Sequence, residues 1–404
     1  MSSAEFWGGI GEYGRACYYF SVKDISFLFD CGINKDTGKI PDLIPEKVTQ
    51  LDYVFLSHSH KDHSWAIPYL YKEGYSKQIL MNKETSQQLH DFFETYPNIN
   101  VSILGEKVGP CKWHKLRQNM SIAWGSSGHM PGALWYIVDV YGKKIFYTGD
   151  YNGDSKVLPH HDPAEFLNKE SIDIAVIDCA YGIEDIAYED CINRILEEVQ
   201  KTICNDGNVL FPSHIYGKSI ELYILLKEKF ISNQFIITKE FCEAIKEFIN
   251  NDYRNKFSMN NNFLENNIII NDLNDCKGYF EVNNRPKIIF TGNLSSSNKI
   301  ALYFFEKLKN LKNNKIIFTS REPKESIGEW ALIHANELNA DILSMRIKSH
   351  QGIREIRILL NNISIKKAIL CHGNRKETMM VNERLQNSGY DNVIDTLNQK
   401  IIEF

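Results

Sequence analysis

The sequence lacks several features that would assign it to a class at once. Its nine cysteines include no Cys-x-x-Cys pair, and their odd number argues against a disulfide framework or a zinc ribbon. No apolar span approaches the length that a bilayer requires, and the N-terminus has no basic region followed by an apolar one. The formal net charge of -5 gives no global signal for nucleic acid. We therefore expect a cytoplasmic protein with no membrane segment, in which any polyanion site is local.

Length and composition indicate an ordinary globular protein. The 404 residues suffice for two domains with separate cores, and 43% of them are hydrophobic against 24% charged. Apolar runs alternate with helical patterns, which predicts an α/β fold. Two strands are expected at 16–20 and 25–29, after a glycine-rich turn at 8–14. An asparagine-rich stretch, 250–274, is predicted to form loops and short helices.

The most informative stretch is Ser57-His58-Ser59-His60-Lys61-Asp62-His63, which follows the apolar run 53–56. That run predicts a buried strand entering a loop. In such a loop His58 and His60 can point the same way, while Asp62 and His63 lie one step further, near a helix start. Imidazole and carboxylate are the usual zinc ligands, and two ligand sets that share a bridging oxygen form a two-metal hydrolytic centre. The alternative is a polar loop whose histidines face solvent.

Ligand-type residues recur at the ends of several apolar strands in this sequence. An acid or a histidine follows each of these predicted strands and stands in or before a loop, where residues that line an α/β crevice are found. The residues in these positions are Asp30, His129, Asp150, Asp178, His350 and His372.

Together these motifs resemble the metallo-β-lactamase superfamily, in the order typical of its β-CASP nuclease branch. Asp30, the run from His58 to His63, His129 and Asp150 match the four motifs of the superfamily. Asp178, His350 and His372 resemble motifs A, B and C of the branch. The resemblance covers essentially the whole chain and implies an α/β fold: a metallo-β-lactamase αββα sandwich with an inserted α/β β-CASP domain. The expected domains are 1–182, the insertion 183–345, and 346–404.

The resemblance also implies the ligand sets. His58, His60 and His129 would hold one metal ion, Asp62, His63 and His372 the other, with Asp150 bridging both. Zinc is the expected metal, with manganese as the alternative. Asp30 would accept the other ring hydrogen of a ligand histidine and fix its tautomer.

Catalytic roles follow from the same resemblance for Asp62, Asp150, Asp178 and His350. In the family the motif B histidine is placed to protonate the leaving oxygen, and the motif A acid orients it. A histidine beside Asp178 can be charged near pH 7, as a general acid must be. The alternative for His350 is a phosphate-contacting or merely solvated histidine. RNA-directed members have histidine at motif C, as here in His372, whereas DNA-repair members have an apolar residue.

Two loops of the insertion are expected to face the RNA backbone with hydroxyl and ammonium donors. One contains Ser213, His214 and Lys218, where an arginine is more usual; the other contains Ser295 and Ser296. The insertion itself would cap the metal cleft so that only a single strand threads through.

These inferences predict a zinc-dependent ribonuclease that hydrolyses phosphodiesters of single-stranded RNA endonucleolytically, with a homodimer as one expected assembly. A 5′-to-3′ exoribonuclease of the ribonuclease J type is the first alternative. A non-catalytic RNA-binding subunit of a processing complex is another, although such subunits typically lose metal ligands and this chain retains them. A small-molecule hydrolase of the superfamily is a further alternative, against which the capping insertion argues.

Overall fold

The computed structural model describes residues 2–105, 108–250, 264–265, 267–281, 285–399 and 401–404. The chain forms two compact units, of which the first contains Met1–Asp185 and Ser349–Phe404. The second unit, Ile186–Lys348, is inserted into the first. The asparagine-rich stretch lies partly outside the described residues; a strand occupies 267–270, where loops and short helices were expected.

The described strands alternate with helices along the whole chain. The strands are β1 (Ser2–Gly8), β2 (Cys17–Val22), β3 (Ile25–Phe29), β4 (Tyr53–Phe55), β5 (Ile79–Met81), β6 (Val101–Ile103), β7 (His114–Arg117), β8 (Met120–Ser126), β9 (Leu134–Val140), β10 (Lys143–Tyr147), β11 (Ile174–Asp178), β12 (Val209–Phe211), β13 (Gln234–Thr238), β14 (Asn267–Ile270), β15 (Lys287–Phe290), β16 (Lys315–Phe318), β17 (Asp341–Ser344), β18 (Ala368–Cys371), β19 (Val393–Ile394) and β20 (Ile401–Glu403).

The helices of both units begin mostly just after a strand. They are α1 (Pro45–Val48), α2 (Lys61–Ser64), α3 (Ile67–Lys72), α4 (Lys83–Gln88), α5 (His90–Thr95), α6 (Pro163–Leu167), α7 (Tyr188–Cys204), α8 (Lys218–Lys229), α9 (Lys239–Asn250), α10 (Leu273–Glu281), α11 (Lys299–Leu308), α12 (Ile327–Ile333), α13 (Ile353–Asn362) and α14 (Arg375–Gln386). Within the described part of the chain, no helix combines the length and apolar character that a membrane crossing needs.

The first unit contains two seven-stranded sheets, counted over the described residues. One has the strand order β20-β1-β2-β3-β4-β5-β6, and the other has the order β19-β18-β11-β10-β9-β8-β7. Strands β3 to β6 are parallel, as are β10, β11, β18 and β19. Because parallel strands end at a common edge, the loops that follow them meet there.

Three apolar layers stabilise this unit. Between the sheets, Phe20 and Phe29 of the first sheet pack with Tyr136 and Val176 of the second. Fully burying a large apolar side chain contributes roughly 1.5–3 kcal/mol, so this layer is a major source of stability. Helices α1, α3, α4 and α5 cover the outer face of the first sheet, and α6, α13 and α14 cover that of the second. The predicted αββα sandwich is confirmed.

The inserted unit is a doubly wound α/β domain, as predicted. In its described residues six parallel strands have the order β14-β13-β15-β12-β16-β17. Helices α10, α11 and α12 pack against one apolar layer of this sheet with Leu210, Ile289 and Phe318. The strand ends therefore present loops at one edge of this unit too.

Candidate metal centre

The seven predicted ligands lie in loops or a short helix just beyond strands of the first unit. β4 is followed by His58 and His60, and α2 then carries Asp62 and His63. The others follow three strands of the second sheet: His129 follows β8, Asp150 follows β10 and His372 follows β18.

A first cluster contains His58, His60, His129 and Asp150, whose ligand atoms all lie within 4.8 Å of one another. Asp150 Oδ2 is 3.4 Å from His58 Nε2 and 3.4 Å from His129 Nε2. His129 Nε2 in turn lies 3.2 Å from His60 Nδ1. Three imidazoles and one carboxylate thus converge on a space of the size that one ion needs.

A second cluster contains Asp62, His63 and His372, again within 4.8 Å. The other oxygen of Asp150, Oδ1, lies 3.2 Å from His63 Nε2 and 3.7 Å from His372 Nδ1. One carboxylate therefore turns Oδ2 toward the first cluster and Oδ1 toward the second. This is the arrangement that a bridging ligand requires.

The donor atoms of both clusters fit divalent cations. His58 Nε2, His63 Nε2 and His372 Nδ1 are buried and have no hydrogen-bond partner among the described residues. Buried polar atoms are normally hydrogen-bonded, and unpartnered ones need an explanation such as an ion. Imidazole nitrogens and carboxylate oxygens together suit zinc and other first-row divalent metals.

Burial and neighbouring charges both shift the pKa values of the residues in the centre. Burial acts to raise the pKa of Asp150, but the neighbouring His372 and His63 outweigh it and hold that pKa well below its usual range. Burial likewise opposes ionisation of Asp62, but Lys35, with Nζ 2.7 Å from Asp62 Oδ1, lowers its pKa. Burial also lowers the pKa of His60 well below its usual value, which favours the neutral imidazole that binds metals.

Asp30 contacts the ring nitrogen of the ligand His63 that does not face Asp150. Its Oδ2 lies 2.8 Å from His63 Nδ1 and accepts hydrogen bonds from Ser57 Oγ and Tyr147 OH at 2.7 and 2.6 Å. Its backbone has a φ of 57°, in the left-handed region that a non-glycine residue rarely adopts. This turn at the end of β3 directs the carboxylate toward His63, whose outward nitrogen Nε2 faces Asp150. Sequence reasoning identified Asp30 but assigned no polar role to Tyr147.

We expect Asp30→Asn to weaken metal binding by about 10- to 100-fold, because it removes the charge that orients His63. Competition with a chelator, followed by metal analysis, measures the affinity. Asp52→Asn is the matched control, since Asp52 accepts a backbone hydrogen bond from Ser26 outside the centre. Unchanged affinity in Asp30→Asn would show that His63 is oriented without this carboxylate.

His350 and Asp178 form a pair beside the first cluster. His350 Nδ1 lies 2.8 Å from Asp178 Oδ2, and its Nε2 lies 4.0 Å from Asp150 Oδ2. Asp178 is itself fixed, because its oxygens accept hydrogen bonds from the backbone N–H groups of Tyr151 and Ala180. Burial lowers the pKa of His350, but Asp178 and Asp150 outweigh this and raise it. Asp150, His350 and His372 also form a ligand-type group of their own, so geometry leaves both a proton-donor and a ligand role open to His350.

Helix α4 connects two of the ligand loops, which sequence reasoning did not anticipate. Gln88 Oε1 accepts a hydrogen bond from Ser59 Oγ at 2.5 Å, between His58 and His60 in the chain. Gln88 Nε2 donates to the carbonyl oxygen of Pro131 at 3.0 Å, two residues after His129. Thr85 Oγ1 donates to the neighbouring Gly132 carbonyl at 3.1 Å. The first cluster is therefore positioned by a helix that contributes no ligand.

We expect Gln88→Ala to weaken metal binding by roughly 10-fold, because supporting hydrogen bonds of ligand loops typically have effects of this size or larger. Gln87→Ala is the matched control, since Gln87 is the exposed neighbour on the same helix. Zinc titration of both variants measures the difference. Equal affinities would mean that the loops hold their positions without Gln88.

The predicted substrate residues lie in the inserted unit, at the carboxyl ends of its strands. Ser213 and His214 follow β12, while Ser295 and Ser296 follow β15, the neighbouring parallel strand. A hydrogen bond of 2.8 Å from Asn293 Nδ2 to His214 Nδ1 joins the two loops. The structure thus brings the two predicted loops together, and their contact with RNA stays a prediction.

Lys218 has a different environment from the one expected. Its side chain is buried, and Nζ lies 2.6 Å from Glu221 Oε2. Tyr188 OH donates to the other oxygen of that carboxylate at 2.6 Å, and its ring lies near the lysine ammonium. Because this ammonium is paired inside the unit, Lys218 holds the start of α8 in place, and an RNA contact for it has no geometric support.

Comparison with known proteins agrees with this geometry. A sequence model described as the metallo-β-lactamase superfamily matches residues 10–164, which carry all the predicted ligands except His372. Residues 10–164 therefore form a metallo-β-lactamase domain. The fold is similar to that of a solved protein of unknown function from Enterococcus faecalis V583, with a TM-score of 0.64, 14% identity, and coverage of 93% of this chain and 95% of its own.

Several relatives match nearly the whole length of the chain. An RNase J-like protein of Methanocaldococcus jannaschii is 26% identical, with 94% of each chain covered. Cleavage and polyadenylation specificity factor subunit 3-I of Arabidopsis thaliana is 23% identical over 94% of this chain and 60% of its own length. Integrator complex subunit 11 of Danio rerio is 23% identical over 93% of this chain and 69% of its own. The chain is thus similar over nearly its whole length to these proteins, and the longer relatives contain further sequence that it does not match.

Proposed function

We propose that this protein is a zinc-dependent ribonuclease that hydrolyses phosphodiester bonds of single-stranded RNA. The observation that carries the proposal is Asp150, whose two oxygens face two separate clusters of ligand-type side chains. A two-metal centre of this kind stabilises both the attacking and the leaving oxygen of an in-line displacement at phosphorus. The names of the relatives, which include an RNase J-like protein and a probable RNase, point to RNA as the substrate.

The chain's own residues supply the framework for this reaction. The two ions, when bound, provide Lewis acidity and lower the pKa of water. The first ion would be held by His58, His60 and His129, the second by Asp62, His63 and His372, with Asp150 shared by both. Burial of these side chains excludes bulk solvent from the reacting groups, which strengthens every charge interaction in the site.

His350 is the proposed general acid. In the reaction, water attacks phosphorus, the bond from phosphorus to the leaving oxygen breaks, and that oxygen needs a proton. His350 Nε2 lies on the cluster side of its ring, while Nδ1 is held by Asp178. The neighbouring carboxylates favour the protonated imidazole, so Nε2 carries a proton to donate.

The metal content of the purified protein tests whether zinc is the cofactor. The purified protein should contain two zinc ions per chain, and manganese is the alternative that elemental analysis distinguishes. Dialysis against a chelator should abolish cleavage, and zinc should restore it. A protein that binds RNA but contains no metal would be a non-catalytic subunit instead.

Product mapping tests the mode of cleavage. We propose endonucleolytic cleavage, for which circular single-stranded RNA is a decisive substrate because it has no ends. The likeness to an RNase J-like protein supports the second candidate, a 5′-to-3′ exoribonuclease. That activity would leave circular RNA intact and would prefer a 5′-monophosphate over a blocked end. Equal cleavage of single-stranded DNA would contradict the RNA specificity that we attach to His372.

A cytoplasmic location and a homodimeric assembly are further parts of the proposal. The cytoplasmic location is supported by sequence features alone, and no residue or pattern in the sequence argues for the homodimer. Cell fractionation tests the first, and light scattering of the purified protein tests the second.

A further inference from the structure

An exposed stripe of two aromatic rings flanked by two cations begins at the metal centre. Lys61 stands between the ligands His60 and Asp62 in the chain. Its Nζ lies 3.8 Å from the ring centroid of Trp65, and Lys72 Nζ lies 4.8 Å from that of Tyr69. We name Lys61, Trp65, Tyr69 and Lys72 the α2–α3 stripe.

The backbone explains why these side chains share one face. Helix α2 ends at Ser64, and α3 begins at Ile67; the linking residues Trp65 and Ala66 keep right-handed helical dihedral angles. Positions 61, 65 and 69 are spaced by four residues, which places them one above the other on a helical surface. All the side chains of the stripe are exposed, with 38% of Trp65 and 38% of Tyr69 accessible to solvent.

The charges of the stripe are uncompensated. Among the described residues, no acidic side chain forms an ion pair with Lys61 or Lys72, although the chain as a whole has a formal charge of -5. The rings of Trp65 and Phe92 stack on each other, which holds Trp65 in place. Their centroids lie 5.9 Å apart, and the interplanar angle is 23°.

We propose that the α2–α3 stripe binds the single-stranded RNA on one side of the cleavage point, with phosphates on the lysines and bases stacked on Trp65 and Tyr69. Aromatic platforms interleaved with cations are the general means of holding single strands without sequence preference. The proposal deepens the proposed function and rests on it. It commits to RNA as the occupant, because a stripe with unpaired cations matches a phosphate backbone.

The experiment measures affinity of the zinc-loaded protein for two strands. One is a fluorescein-labelled polyuridine RNA with cleavage-resistant phosphorothioate linkages; the other is the same backbone without bases. The variants are Trp65→Ala, Tyr69→Ala and Lys61→Gln. Trp113→Ala is the matched control for the tryptophan, because Trp113 is also 38% exposed and packs on Phe166. Lys23→Gln is the control for the lysine, because Lys23 Nζ lies 4.0 Å from the ring centroid of Tyr141.

The aromatic and cationic parts give separate readouts. Trp65→Ala should weaken binding of polyuridine by about 10-fold and leave binding of the baseless strand unchanged. Trp65→Phe should restore most of the loss. Lys61→Gln should weaken binding of both strands and reduce the slope of log affinity against log salt by about 0.7. Both control variants should behave as the wild type, and zinc content should be equal in all.

Two other outcomes would overturn the proposal. If Trp65→Ala and Tyr69→Ala keep the wild-type preference for the strand with bases, the stripe is not an RNA site and the proposal is overturned, while cleavage by the wild type would leave the proposed function intact. If the wild type neither binds nor cleaves RNA, both the proposed function and the proposed RNA site at the α2–α3 stripe are overturned.

Discussion

Replacing Asp150 with Asn is expected to reduce RNA cleavage by at least about a thousand-fold, because one carboxylate serves both metal clusters. The amide keeps the shape of the side chain but cannot supply two anionic oxygens. We therefore expect metal content to fall from two ions per chain while the fold is retained. Cleavage rates, elemental analysis and circular dichroism of the same preparation measure the three effects.

Asp139→Asn is the matched control for this variant. Asp139 lies in β9, accepts a hydrogen bond from the backbone of Gly142 and is paired with Lys144, all outside the centre. It should retain full activity and two ions. Wild-type cleavage by Asp150→Asn would contradict the two-metal centre outright.

Replacing His350 with Ala is expected to lower kcat by about 10²- to 10⁴-fold, the usual contribution of a general acid or base. Both zinc ions should remain bound, because the seven ligands are still present. Single-turnover cleavage combined with elemental analysis separates the two possibilities that the geometry leaves open. A proton donor affects only the rate, whereas a ligand affects the metal content as well.

Two further histidine variants serve as references for the metal content and activity of His350→Ala. His372→Ala should lose metal, since His372 lies in the second cluster. His334→Ala should lose neither metal nor activity, since His334 lies at the end of α12 in the inserted unit. Loss of zinc in His350→Ala, at the level seen in His372→Ala, would identify His350 as a ligand.

Much of the candidate centre is predictable because its side chains follow a local rule. Each lies where an apolar strand ends, and His58, His60, Asp62 and His63 are concentrated in six positions of the chain. The αββα sandwich follows from the same motifs in their order. Polar residues at the ends of buried strands can therefore be identified from the sequence alone.

The supporting residues could not be predicted in this way. Tyr147 has the sequence context of a core aromatic, and only the facing sheet shows that its hydroxyl reaches Asp30. Gln88 stands in an ordinary helix, and its role depends on two loops that are distant in sequence. Lys218 stays a prediction as a substrate contact, because its motif position suggested substrate and the structure shows only that a carboxylate one turn later pairs with it. Strand β1 begins with small polar residues and was missed; it pairs with the next strand, β2, and with β20, which is distant in sequence.

The inserted unit has a consequence for the order in which the protein is made. His372 and His350 follow Lys348, so both emerge from the ribosome only after the whole insertion has been synthesised. At translation rates of about 5–20 residues per second, this delay is on the order of ten seconds. During that interval the nascent chain already presents His58, His60 and His129 but has no complete second cluster. A nuclease built in this way can complete its second metal cluster only after the whole insertion has been translated.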